Sequence, residues 1–263
     1  SGTVVAIEDR PHATRGTCLS IVVENDFKDT IHESVKPNKS LEELTPAEII
    51  DIVKAAGIVG MGGATFPTHV KLSIPNGCKA EFLIINGVEC EPYLTADYRR
   101  MLENAQELVD GMRIILQLFD NAKGVFGIED NKPDCIAKLK ELVKDEPRME
   151  VCELMTKYPQ GGERQLIKAV TGREINSKML PADAGCIVDN VETIIAVYNG
   201  VKNGIPVMKR VSTVTGDAIQ NPSNFLYSMG TSYQELVDAA GGFKVEPEKI
   251  ISGGPMMGFS MFS

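Results

Sequence analysis

Gly57-Ile58-Val59-Gly60-Met61-Gly62-Gly63-Ala64-Thr65-Phe66-Pro67-Thr68-His69-Val70-Lys71-Leu72 is the stretch on which the reading of this sequence turns. Glycine lacks a Cβ and accepts positive φ, so a loop carrying Gly60, Gly62 and Gly63 lets backbone N–H groups close on an anion such as a phosphate. A helix-ending turn has the same composition, and on the glycines alone both readings stand. The loop follows a helical segment rather than a first strand. It is therefore not the dinucleotide fingerprint, and an ordinary Rossmann dehydrogenase is disfavoured.

The preceding helix is announced by Thr45-Pro46-Ala47-Glu48, a cap followed by Pro at the first helical position and an acid in the first turn, and it ends at Gly57. Beyond the loop, the periodicity predicts strands at 81–86, 123–128 and 149–155, and helices at 104–119, 133–144 and 164–171. Strands alternating with helices of this length imply βαβ units and a largely parallel sheet, which binds ligands at the carboxyl ends of its strands. The glycine-bearing turns belong at that end.

On the amino-terminal side, alternation at 3–7 and 19–23, with a Pro/Gly-containing turn between, predicts a β-hairpin, and the polar passage 28–40 reads as a linker. After Pro206, two or three short strands around a helix at 232–240 suggest a β-grasp module. The expected partition is 1–40, a partial β module and linker; 41–205, the α/β domain; and 206–263, the β-grasp domain.

A net charge of −9 with no basic stripe argues against nucleic acid, whose affinity depends on Lys and Arg neutralising phosphates. Apolar runs such as Phe82-Leu83-Ile84-Ile85 fall far short of the ~20 residues of a membrane span, and no secretory signal opens the chain. A soluble, cytoplasmic chain is the expectation. Its start, without Met, reads as that of a fragment. The cysteines, at 18, 78, 90, 135, 152 and 186, are too widely spaced for Cys-x-x-Cys ligation, so free thiols are expected, with no metal ligands and no iron–sulfur cluster in this chain.

The loop gains meaning from its company. Phe66 offers a flat face to a nicotinamide or flavin ring, and Lys71 a charge for a phosphate or an electron-rich ring edge. Asn86, Glu89 and Glu91, in Asn86-Gly87-Val88-Glu89-Cys90-Glu91-Pro92, offer hydrogen bonds to ribityl or ribose hydroxyls. Each has a plainer reading: Phe66 as core, Lys71 as a surface charge, the acids as a solvated loop.

Taken together, residues 57–72, the segment Ile84-Ile85-Asn86-Gly87-Val88-Glu89-Cys90-Glu91-Pro92-Tyr93-Leu94-Thr95-Ala96-Asp97, Gly161-Gly162-Glu163-Arg164-Gln165-Leu166-Ile167-Lys168, and Ser252-Gly253-Gly254-Pro255-Met256-Met257-Gly258 resemble the C subunit of the Rnf electron-transport complex over nearly the whole chain. More distantly they resemble the NADH-oxidising flavin subunit of respiratory complex I. The resemblance implies a Rossmann-like α/β domain binding FMN and NADH, joined to a β-grasp module of the soluble-ligand-binding (SLBB) type and a lipoyl-like amino-terminal β module.

It also implies site residues. For FMN these are Gly60, Met61, Gly62, Gly63 and Lys71; Asn86, Val88, Glu89 and Cys90; Tyr158, Gly161, Gly162 and Glu163; and Asp189, Asn190 and Thr193. For NADH they are Phe66, Glu91, Glu163 and Lys178. No side chain is assigned as a catalytic acid or base, because hydride transfer belongs to the cofactors. Met61 stands where complex I subunits carry Arg, and an aromatic expected near Pro181 is absent, which points to weaker phosphate binding and nicotinamide packing.

The implied activity is electron exchange between NAD(H) and ferredoxin through FMN and 4Fe-4S clusters outside this chain, coupled to ion transport. The subunit would lie with others at the cytoplasmic face of a membrane complex. Two alternatives are carried: a cobalamin (corrinoid) reductase, whose type shares the flavin fold and β-grasp pattern, and a non-catalytic binding or scaffold fragment.

Overall fold

The computed structural model describes residues 1–12, 16–75 and 77–261, in two compact units, Ser1–Lys36 and Pro37–Ser263. The first unit is an antiparallel hairpin of β1 (Gly2–His12) and β2 (Gly16–Asn25), with a register shift between Val4 and Ala6. Both strands run longer than the alternation predicted. The expected turn crosses 13–15, outside the described residues.

The second unit opens with α1 (Pro46–Ala55). The Thr45 hydroxyl accepts from the Glu48 amide and the Glu48 carboxylate accepts from the Thr45 amide, a reciprocal cap that satisfies two otherwise orphaned N–H groups. Gly57, at φ 68°, terminates the helix. The glycine loop follows and leads into the short α2 (Thr68–Leu72).

A four-stranded parallel sheet comes next: β3 (Phe82–Gly87), β4 (Lys123–Glu129), β5 (Met149–Leu154) and β6 (Cys186–Asn190), in spatial order β5-β4-β3-β6. The crossovers carry α3 (Ala96–Glu103) and α4 (Ala105–Leu116), then α5 (Pro133–Val143), then α6 (Glu163–Thr171); α7 (Val191–Asn203) follows β6. Alternate residues of β3 feed opposite faces. Leu83 and Ile85 join a core with Ile49, Leu108, Met112, Leu139 and Ile194, whereas Ile84 packs with Leu166, Ile167 and Val188. Both faces are thus covered, as an apolar parallel sheet requires. Since the chain steps from β3 toward β5 and then returns to place β6 on the other side of β3, the sheet has a topological switch point between β3 and β6, where such folds open a ligand crevice.

Three of the longer elements, α3, β6 and α7, escape the sequence pattern. The passage between the expected strand at 81–86 and helix at 104–119 holds α3, whose one fully buried apolar residue is Met101 and whose first amides are capped by Glu89 from outside the helix. The strand β6 runs straight into α7, with Asn190 both the last strand residue and the helix cap, so no turn separates the two periods.

The carboxyl-terminal part has β7 (Lys209–Val214) paired antiparallel with β8 (Ser223–Ser228), then α8 (Tyr233–Ala239) behind a Ser232/Glu235 capping box, and a hairpin of β9 (Ile250–Ser252) and β10 (Phe259–Met261). The fold is α/β with a small module of paired strands around one helix, as expected. All six cysteines are free thiols.

Candidate cofactor site at the carboxyl ends of the sheet

Gly57 ends α1, so the glycine loop is free for another role. A β-bridge between Val59 and Pro67 closes its neck, with the Gly60 amide donating to the Phe66 carbonyl (2.8 Å) and the Thr68 amide to that of Ile58 (3.1 Å). At its tip Gly63 has φ 152° and Thr65 φ 51°. Among the described residues no group accepts from the Gly62 N–H, leaving a donor for an incoming anion.

The loop is seated on the start of α7. The Met61 amide donates to Oγ1 of the buried Thr193 (2.9 Å), and a Cβ on Gly62 would lie 3.2 Å from Cβ of Asn190, a contact that only a small residue meets easily. From the opposite side Arg210, on β7, donates to the Met61 carbonyl (3.4 Å).

Lys71 gathers two further segments. Its Nζ donates to the Val188 carbonyl (2.7 Å) and stands 3.4 Å from Asp189 Oδ1 and 3.8 Å from Glu163 Oε1. Burial pushes the Asp189 carboxyl up to about 6, against the pull of the Lys71 ammonium.

The loop after β3 interlocks with the turn before α6. Asn86 Nδ2 donates to the Gly161 carbonyl (2.8 Å) while its Oδ1 accepts from the Val88 amide (3.1 Å), and the Gly161 amide donates to Cys90 Sγ (3.4 Å). A Cβ on Gly161 would fall 2.4 Å from the Val88 carbonyl oxygen, so glycine is required by the close approach. Glu89 turns toward α3, its carboxylate accepting from the amides of Asp97 (2.9 Å) and Tyr98 (3.2 Å); burial raises its pKa. Asp97 in turn accepts from Asn190 Nδ2 (2.6 Å).

Segments far apart in sequence therefore meet at the β3/β6 switch point through named bonds. Gly60, Met61, Gly62, Lys71, Asn86, Val88, Glu89, Cys90, Gly161, Glu163, Asp189, Asn190 and Thr193 belong to this network, and Gly63 and Gly162 lie in its loops. Phe66, on the same loop, is an exposed residue, 47% accessible. Others lie apart. Tyr158 lines a groove with Arg164, Gln165 and Lys168, and Lys178 is an exposed residue with no side-chain bond to the network among the described residues. Glu91 is engaged from elsewhere: its Oε2 accepts from the Met256 amide (2.9 Å), Gly254 presses on its carboxylate, and Oε1 is sealed without a donor. Asp97 and Arg210 join the network although neither was among the expected site residues. Their side chains act across elements, and no local pattern marks that.

The residues present fit a phosphate-bearing flavin: an unpaired loop amide, a cation at Lys71, hydrogen-bonding amides at Asn86 and Asn190, and glycines where a Cβ would close the space. More than half of the chain, residues 53–199, matches the family described as the Nuo51 FMN-binding domain, and the chain belongs to that family. Residues 211–260 match the SLBB domain.

The chain is 50% identical over 260 residues to the C subunit of the proton-translocating ferredoxin:NAD(+) oxidoreductase complex of Clostridium ljungdahlii, covering 99% of this chain and 57% of that relative. To the C subunit of the Na(+)-translocating ferredoxin:NAD(+) oxidoreductase complex of Acetobacterium woodii it is 48% identical over 262 residues, covering 100% and 59%. It thus spans less than two thirds of the length of these relatives. The resemblance read from the sequence segments agrees with them. Among solved structures, an NAD+-reducing NiFe hydrogenase in the air-oxidized state shares the fold, with a TM-score of 0.65 and 25% identity over 74% of this chain and 39% of that one. Among the described residues no helix is long and apolar enough to cross a membrane.

Proposed function

We propose that this chain holds FMN at the β3/β6 switch point and admits NADH to the exposed face of the ring, as the flavin-bearing part of an ion-translocating ferredoxin:NAD oxidoreductase complex. The observation that carries the reading is the linkage of the glycine loop, the Asn86–Gly161 contact, the Lys71 cluster and the Asn190/Thr193 helix start by hydrogen bonds at the β3/β6 switch point. Bound FMN supplies the hydride acceptor and a passage to one-electron carriers. The chain's own residues bind and orient. Gly62 and the start of α7 offer donors to the phosphate, Lys71 offers charge, and the amides of Asn86 and Asn190 set the polar edge of the pocket.

On this reading Phe66 and Glu163 line the approach of NADH, with Gly162, Gly63, Val88, Glu89 and Cys90 completing the flavin wall, while Glu91, Lys178 and Tyr158, outside the bonded network, are assigned to the ligands by the family resemblance alone. Electrons pass between the flavin and ferredoxin by way of 4Fe-4S clusters outside this chain and other subunits of a complex at the cytoplasmic face of the membrane. The test is an anaerobic titration of the purified protein. FMN is expected to raise Tm and lose fluorescence on binding, and the bound flavin is expected to bleach when NADH is added. No Tm change in excess FMN overturns the proposal.

A further inference from the structure

Asn190 stands at the hinge of the site. Its Oδ1 accepts from the Glu192 amide (2.8 Å), capping the thirteen-residue α7, and its Nδ2 donates to Asp97 Oδ2 (2.6 Å), so two bonds fix which way the amide faces. Its Cβ is the atom nearest to where a Cβ on Gly62 would stand, at 3.2 Å. Asp97 is the second residue of α3, and its own amide is held by Glu89. From this geometry we infer that Asp97 is a positioning residue of the cofactor site: it orients the Asn190 amide under the glycine loop and takes up a proton when a phosphate-bearing flavin binds there. The inference rests on the FMN reading above.

The charges facing Asp97 come from every element around it. Glu89, from the loop after β3, and Glu192, on α7, disfavour its ionisation; Arg210, on β7, favours it; Asn190 donates to the ionised form. Arg100, on α3 itself, is spent on Glu192 (2.6 Å). Burial is the largest influence and, with Glu89, brings the carboxyl up to about 7. Near neutral pH Asp97 is therefore divided between its two protonation states. An anionic phosphate at the adjoining loop adds negative potential and favours the protonated one. By linkage the phosphate-bearing ligand binds more tightly as pH falls through that region. Neutral Asp97 still serves Asn190, because its carbonyl oxygen accepts the same bond.

The experiment measures FMN affinity of the wild-type protein and of Asp97→Asn between pH 6 and pH 8. The asparagine keeps an acceptor for Asn190 and carries no charge. The titration of the FMN phosphate is common to both proteins and cancels in the ratio of affinities. The wild-type affinity relative to D97N is expected to fall ~5-fold from pH 6 to pH 8, the change that a one-unit rise in the Asp97 pKa on binding produces across that window. Asp97→Ser, neutral and still an acceptor, gives the same ratio where D97N does not fold. A ratio that stays constant, with both proteins binding FMN, overturns this inference and leaves the FMN reading standing. Failure of the wild type to bind FMN at any pH overturns both.

Discussion

The ammonium of Lys71 stands 3.4 Å from Oδ1 of Asp189, a carboxylate whose side chain is 0% exposed and whose oxygens receive no aligned hydrogen bond among the described residues. The pair joins α2 to the end of β6 and so ties the floor of the glycine loop to the sheet.

Breaking that pair leaves a buried charge without compensation. Lys71→Met is expected to destabilise the protein by roughly 3 kcal/mol, and the double variant with Asp189→Asn to recover most of the loss. Thermal unfolding of the two variants checks this; a Tm for Lys71→Met equal to wild type overturns it.

The same carboxyl makes stability depend on pH. Its folded pKa of about 6 lies above the ordinary 3.8. Below about 4 both folded and unfolded states hold the proton; between about 4 and about 6 the unfolded chain has lost it and the folded chain keeps it. Raising pH through that window therefore costs stability, by at most ~3 kcal/mol, and the cost is constant above it. Asp189→Asn should lack this component. The Tm difference between wild type and D189N, measured at pH 4 and pH 7, is expected to move in favour of the variant at the higher pH.

Glycine is not equally required along the site. At Gly161 a Cβ would stand 2.4 Å from the Val88 carbonyl oxygen and 3.2 Å from Cys90 Sγ, so Gly161→Ala must displace the loop after β3. A loss of ~1–3 kcal/mol is expected, with weaker FMN binding as the Asn86–Gly161 bond is strained. At Gly60 the Cβ would be 3.5 Å from the Phe66 carbonyl oxygen, ordinary contact. Gly60→Ala should leave Tm unchanged and FMN affinity within twofold of wild type. The two variants in parallel decide whether close approach, rather than glycine content, governs the site.

Glu91 tests the NADH assignment against a structural role. Glu91→Gln keeps an oxygen for the Met256 amide and removes the charge. An increase in the KM for NADH of ~10-fold with unchanged FMN affinity is expected if the carboxylate meets the nucleotide. Unchanged NADH kinetics would assign Glu91 to holding the carboxyl-terminal module alone.

Much of the architecture follows from local rules. The Thr45–Glu48 cap, Gly57 as a stop, and the alternation of short apolar runs with amphipathic segments are each written within a few residues, and they place α1, β3, β4, α5, β5 and α6 within a residue or two of where they lie. The motif segments, read as a set, also led to the family. What periodicity missed was α3, because its cap is a side chain that arrives from Glu89, and the β6–α7 junction, because one residue, Asn190, ends a strand and begins a helix.

The site divides in the same way. The sequence by itself determined which residues can bind an anion or a flavin: glycines without a Cβ, a lysine, amides and acids at loop ends. Only the tertiary structure decided which of them meet. Strand order brought β6 beside β3, and with it Asp189 to Lys71 and Asn190 to Gly62. The glycine loop, ambiguous alone, is pinned at Met61 by Thr193 and Arg210. Glu91 was drawn to Met256, and Asp97 to Asn190. Hydrogen bonds between residues more than ninety positions apart depend on topology, and no short-range pattern encodes them.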